Sequence, residues 1–206
     1  QLVGRAPRLE PGLWLAVAVA TAALAGSRAL YLALDARRSN LAPNGLDSVG
    51  GIAAGLGAAV VWARVVRVPA GAALDVVVPP GLLALAFGRV GCFLAGCCYG
   101  KPTALAWGVV FPELGPPARH PLQLYAAAGD AALALWLLAA GGPPGAVAGR
   151  GLVGYALLRA GLELLRDPAA ADLVAGGPLS LAQLMALALA IVGLAVLRLA
   201  RPRTVD

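Results

Sequence analysis

The sequence predicts an all-α, polytopic transmembrane helix bundle, and three observations carry that prediction. Of 206 residues 60% are hydrophobic and only 13% charged, and the mean hydropathy is +0.83, far from the roughly half-apolar, quarter-charged mix of soluble domains. Six stretches reach the about 20 mostly apolar residues that a spanning helix needs: Gly12 to Asp35, Val49 to Val68, Asp75 to Cys97, Leu122 to Gly141, Gly149 to Arg166, and Pro178 to Leu199. Short connectors join most of them, so residues 1–206 read as one transmembrane domain without repeats or linkers.

The connectors set the topology. The formal charge is +6, but the cations punctuate apolar runs instead of forming a soluble basic face, which excludes nucleic acid as a partner. Arg5, Arg8, Arg64, Arg67, Arg150, Arg198, Arg201 and Arg203 fall on the side of the chain's start, against Arg37, Arg38, Lys101, Arg119 and Arg166 on the other, where Asp35, Asp47, Glu113, Asp167 and Asp172 also cluster. The positive-inside rule therefore places both ends in the cytoplasm. Residues 98–121, rich in Gly and Pro, become an extracytoplasmic head. The start at Gln1 has no initiator Met, no positive n-region and no cleavage site, and reads as internal.

Three arginines stand within the apolar segments, where an ionisable side chain costs at least ~2.5 kcal/mol and marks function by default. At 1.5 Å per residue, Arg28 lies about 10 Å below Asp35, Arg89 about 12 Å below Cys97 and Arg159 about 10 Å below Arg166. All three fall in the outer half. Tyr155, Arg159, Glu163 and Arg166 recur on one helical face, where an i,i+4 ion pair from Glu163 orients Arg159 while leaving donors for a ligand. A purely structural ion pair has the same pattern. Arginines at the outer leaflet suit the phosphate of a lipid headgroup, which the guanidinium fork binds bidentately.

Pro79, Pro80 and the glycines that follow predict a bent or broken third segment lining a substrate chamber. Gly51 and Gly55, a small-xxx-small pair, read as helix packing. His120, the only histidine, is a candidate general base because a free imidazole changes charge near neutral pH; a solvated loop residue is the alternative. Asp75 reads as an N-terminal cap. Cys92, Cys97 and Cys98 match no common zinc spacing, so a disulfide or free thiols are expected and no metal or cofactor.

Taken together, Gly88 to Thr103, Trp107 to Pro112 and His120-Pro121-Leu122-Gln123-Leu124-Tyr125 resemble the central motif of the prolipoprotein diacylglyceryl transferase family, in a cysteine-rich variant of its Gly-Arg-x-Gly-Asn-Phe block. Gly26, Arg28 and Tyr31 resemble its early helix; Tyr155, Arg159, Glu163, Arg166 and Asp167 its late one; Leu179 to Gln183 the start of its last span. The resemblance covers nearly the whole chain. It implies a bacterial inner-membrane enzyme of seven spans, lacking the first here, that moves the diacylglyceryl group of phosphatidylglycerol onto the lipobox cysteine of a prolipoprotein. Its active site faces the outer leaflet.

On that reading Arg89, Arg159 and His120 are catalytic, and Arg28, Tyr31, Arg89, Gly100, Tyr125, Tyr155, Arg159, Glu163 and Arg166 bind phosphatidylglycerol. Two positions depart from the family's pattern: Val49 stands where His or an aromatic residue is usual, and Ala126 where Glu is usual. They support one rival, a catalytically impaired phospholipid-binding relative. A small anion transporter would show two related halves with broken helices, and the sequence holds one such segment.

Overall fold

The computed structural model describes residues 10–35, 47–167 and 180–200. Six helices follow in order: α1 (Glu10–Asp35), α2 (Ser48–Val65), α3 (Ala70–Leu94), α4 (Leu122–Ala140), α5 (Ala146–Glu163) and α6 (Leu181–Ala200). The only β-pairing among the described residues is in isolated bridges, so the all-α class holds. Five helices, all but α5, are long and apolar enough to cross a membrane, which makes this a multi-pass membrane protein. The expectation of a sixth such helix needs correction, because the 18 residues of α5 include Arg150, Arg159 and Glu163. The helix that misses the apolar criterion is the one that carries the candidate site.

Arg5, Arg8, Arg37, Arg38, Arg201 and Arg203, on which the charge count leans, lie outside the described residues, as do Asp172 and Leu179. The chain divides into two compact units, Gln1–Val77 and Val78–Asp206. In the first, α1 packs on α2 at glycines: a Cβ added to Gly50 would stand 2.7 Å from the Leu30 Cβ, and one on Gly55 3.5 Å from the Ala23 Cβ. Asp47 caps α2, its carboxylate accepting from the Val49 N–H at 2.8 Å and the Gly50 N–H at 3.2 Å. Val49 is half-buried in the first turn. The third helix begins at Ala70, directly after Pro69; Asp75 therefore sits inside α3 and is not its cap.

Contrary to the expected break, α3 runs through Pro79 and Pro80 as one helix. Each proline lacks the N–H for one helical bond and crowds the preceding turn, and within a membrane protein such losses are accommodated when the surrounding turns are packed. Val78, Leu82 and Ala86, beside and beyond the prolines, are indeed buried.

In the second unit, α5 and α6 approach through glycine on both sides. A Cβ on Gly149 would lie 2.9 Å from the Gly193 carbonyl oxygen, and one on Gly193 3.0 Å from that of Gly149, the small-residue contact by which helices in a bilayer come close. A capping box starts α6: the Gln183 N–H donates to Ser180 Oγ at 3.2 Å and the Ser180 N–H to Gln183 Oε1 at 2.9 Å. At the turn before α5, Arg150 donates through Nε to the Ala146 carbonyl at 2.9 Å and lies over the Trp136 ring at 5.9 Å. Along α4, Gln123 at its start, Asp130 at its centre and Leu137 near its end are almost completely buried.

The connector between α3 and α4 forms a small head around Phe111, which is 3% exposed and meets the rings of Phe93 at 6.0 Å and Tyr99 at 5.7 Å. Short antiparallel bridges join Arg119 to Pro102 and to Val109, and Gly100 to Arg166. That last bridge is close: a Cβ on Gly100 would stand 2.8 Å from the His120 Cβ and 2.9 Å from the Leu165 carbonyl oxygen. It ties the end of α3 to the end of α5.

Candidate active site

The ends of α3 and α5 and the start of α4 meet at a small, partly open pocket lined by Arg89, Cys98, Leu122, Gln123, Ala126, Arg159, Leu162 and Arg166. Its cationic side chains come from two elements. Arg89, five residues before the end of α3, donates to the hydroxyl of buried Tyr155 on α5. Arg159 and Arg166 meet at one carboxylate oxygen: Glu163 Oε2 accepts from Arg159 Nη1 at 3.0 Å and from Arg166 Nε at 3.1 Å. The Glu163 side chain is 5% exposed and those of Arg159 and Arg166 16% and 11%, so the pairs are shielded from water and hold both forks in place.

Three guanidinium groups thus gather where the nearby acids are Glu163 and Asp130. Asp130, on α4, lies in the field of Arg89 and Arg159 and is 1% exposed, with Oδ1 buried and without a hydrogen-bond partner. Gln123 is equally buried; its Nε2 donates to the Cys97 carbonyl, while its Oε1 has no partner. An acceptor left unsatisfied in a buried place costs about 1–3 kcal/mol, so each of these oxygens is suited to a ligand hydroxyl or a proton.

Gln123 and Asp130 were not among the residues expected to form the site. A signal for Asp130 existed, an acid in the middle of an apolar span. For Gln123 there was none beyond its place in the motif, since its partner lies 26 residues earlier in the chain.

The other expected residues fall into separate groups. Tyr125 and His120 form a second polar set in the head: the Tyr125 hydroxyl accepts from Trp107 Nε1 at 2.8 Å and lies 3.3 Å from His120 Nδ1. Neither lines the pocket. Gly100 also stays outside the lining and serves close backbone pairing with His120 and Leu165. Arg28 and Tyr31 belong to the first unit, where the guanidinium lies 5.4 Å from the ring centre. Arg119 is occupied elsewhere, paired with Asp167 and stacked 5.0 Å over Tyr99.

Beside the pocket the three cysteines converge. Their sulfurs all lie within 4.8 Å of one another, the one group among the described residues whose donors could hold a metal ion. The Cys92 thiol donates to Cys98, and this hydrogen bond, with the positive charge of Arg166 and Arg89 and against the opposing effect of burial, draws the Cys98 thiol down to about 5.

Helices long and apolar enough to cross a membrane, with arginines lining a pocket at their ends, define a multi-pass membrane protein with a cationic site. The model of the prolipoprotein diacylglyceryl transferase family matches residues 10–199, and the chain belongs to that family. It is similar to the phosphatidylglycerol–prolipoprotein diacylglyceryl transferase of Nitratidesulfovibrio vulgaris (strain DP4), 40% identical over 126 residues, 59% of this chain and 47% of the relative. The enzyme of the same name from Rhizobium meliloti (strain 1021) is 35% identical over 165 residues, 76% of this chain and 59% of the relative. That of Clostridium tetani (strain Massachusetts / E88) is 54% identical over 69 residues, 32% of this chain and 28% of the relative. The chain spans about half the length of the first two relatives.

Proposed function

We propose that the protein containing this chain transfers the diacylglyceryl group of phosphatidylglycerol to the lipobox cysteine of a prolipoprotein, in the bacterial inner membrane with the pocket toward the outer leaflet. The observation that carries the proposal is the convergence of Arg89, Arg159 and Arg166 on one pocket within a chain of this family. The acceptor's sulfur forms a thioether bond to the glyceryl carbon that bears the phosphate. The carbon–oxygen bond breaks, and glycerol phosphate leaves with the electron pair.

The chain's residues divide that work. The charge gathering on the departing phosphate meets guanidinium forks already fixed by Glu163 and Tyr155, so little reorganisation is needed as the bond breaks. The unsatisfied Gln123 Oε1 accepts a glycerol hydroxyl. The acceptor thiol has an ordinary pKa near about 8.5 and must lose its proton to attack. We assign that step to His120, held by Tyr125, because a neutral imidazole accepts a proton and a guanidinium does not. Arg28, Tyr31, Tyr125 and Gly100 are assigned to phosphatidylglycerol on the family resemblance alone.

One observation favours a second reading, a relative that binds phospholipid without transfer. Ala126, where the family usually has Glu, lines the pocket itself and places a methyl group among the arginines. Asp130, one helical turn further along α4 and within the field of the same arginines, supplies an acid from the same helix and supports the enzyme reading.

The two readings separate in a transfer assay of the intact protein with phosphatidylglycerol vesicles and a lipobox peptide, read by the mass of the thioether product. A product that forms in wild type and is lost in Arg89→Ala supports transfer; lipid binding with no product in wild type replaces the enzyme with the binding protein.

A further inference from the structure

The three cysteines form a site that the transfer chemistry leaves unused. Residues spaced 92, 97 and 98 do not share a helical face, so the way α3 ends must bring them together. The Gly96 N–H donates to the Phe93 carbonyl at 3.1 Å and the Cys97 N–H to that of Cys92 at 3.1 Å, with Gly96 at φ +68°. This is a Schellman termination, with its left-handed residue and its six-to-one bond. It folds Cys97 back onto the turn that holds Cys92. Cys98 then takes φ +62°, a region that side chains with a Cβ seldom adopt, and its sulfur joins the other two.

Tetrahedral thiolates about 2.3 Å from a zinc ion stand about 3.8 Å apart, and all three sulfur separations here are within 4.8 Å. Side-chain rotation alone covers the difference. A disulfide fits the arrangement less well, since it draws two sulfurs to about 2.05 Å and leaves the third without a role. The surroundings suit the cation as well. Three thiolates around a divalent ion carry one net negative charge, and Arg89 and Arg166, which share the pocket lining with Cys98, complement it. The loop is held before any ion arrives, because Gln123 donates to the Cys97 carbonyl, and the exposure of Cys97 gives access from outside.

We propose that Cys92, Cys97 and Cys98 form a three-thiolate site for a soft divalent cation of the zinc class, with a fourth coordination position left to an exogenous ligand. Soft donors in this number select zinc and its heavier congeners over magnesium or calcium. The site goes beyond the transfer activity, and its test reads metal binding without reference to that activity.

The test is a Cd²⁺ titration of the intact, reduced protein in detergent, followed by the ultraviolet thiolate-to-metal charge-transfer band, with zinc content measured in parallel. The expected result is a band that saturates with one Cd²⁺ bound at this site, protects the three thiols from alkylation, and is displaced by Zn²⁺ but not by Mg²⁺. Cys97→Ser and Cys98→Ser should each weaken binding at least tenfold. Absence of the band from reduced wild type overturns the proposal without reference to any variant's folding, as does undiminished affinity in both variants. Isolation of the wild type with two of the three thiols joined and resistant to reductant overturns it in favour of a disulfide.

Discussion

Arg119 in the head and the arginines of the pocket use the same side chain to opposite ends. Arg119 pairs with Asp167 and its guanidinium carbon lies 5.0 Å from the centre of the Tyr99 ring, so both its charge and its face are engaged by the protein. In the pocket, Arg159 and Arg166 share the single carboxylate of Glu163, and Arg89 donates to a hydroxyl that carries no charge. The strut lies away from the pocket, whereas the arginines of the pocket are oriented by their partners and line it together. The contrast gives the substitutions below their order.

The largest effect belongs to the pocket. Arg89→Ala should lower transfer about 100- to 1000-fold, the scale on which loss of one well-placed donor acts on a developing anion, with the protein still extractable as a folded species. A fall of less than threefold in the mass-detected product would remove Arg89 from the transition state. Glu163→Gln comes next, since it leaves two shielded guanidinium groups without their shared carboxylate. Breaking such a pair costs about 3 kcal/mol, and thermal unfolding in detergent should show it together with a raised KM; an unchanged melting temperature would mean that the arginines are held by other contacts.

In the head the effects on transfer should be smaller. Arg119→Ala removes one partner of an ion pair whose arginine is about as buried as Arg159; it should cost about 3 kcal/mol of stability and leave KM for phosphatidylglycerol unchanged. A raised KM there would erase the distinction between strut and ligand arginine. Tyr125→Phe takes the acceptor from Trp107 and the neighbour from His120, worth about 1 kcal/mol. It should reduce kcat several-fold and shift its pH dependence without changing KM. The smallest change expected is Ala126→Glu, which restores the family's usual acid to the pocket lining and should raise transfer about two- to threefold; a loss would show that Asp130 has already taken that place.

How much of this was legible in the sequence depends on how local each feature is. The span from Leu122 to Gly141 matches α4 to within one residue at its end, because hydropathy and the glycine that follows both act locally. The Tyr155 to Arg166 face was legible for the same reason, its ion pairs being three and four residues apart. The start of α6 moved from Pro178 to Leu181 because Ser180 and Gln183 cap each other there. Contacts between distant segments were not legible. Nothing in the spacing announces that Arg119 reaches Asp167, that Gln123 reaches Cys97, or that Gly100 pairs with Arg166.

The cysteines show the limit most clearly. Read along the chain, they match no metal pattern; only the reversal after Leu94 brings them together. The proline pair misled in the other direction, since a local rule for breaking helices gave way to packing around Val78, Leu82 and Ala86.

The central claim is that the arginines lining the pocket hold the phosphate of the headgroup. Its most direct test is ³¹P NMR of glycerol phosphate titrated with the intact protein, wild type beside Arg89→Ala and Arg119→Ala. A saturable shift and broadening in wild type, kept in Arg119→Ala and abolished in Arg89→Ala, is the predicted result. No interaction in wild type, or the same loss in both variants, would contradict the account.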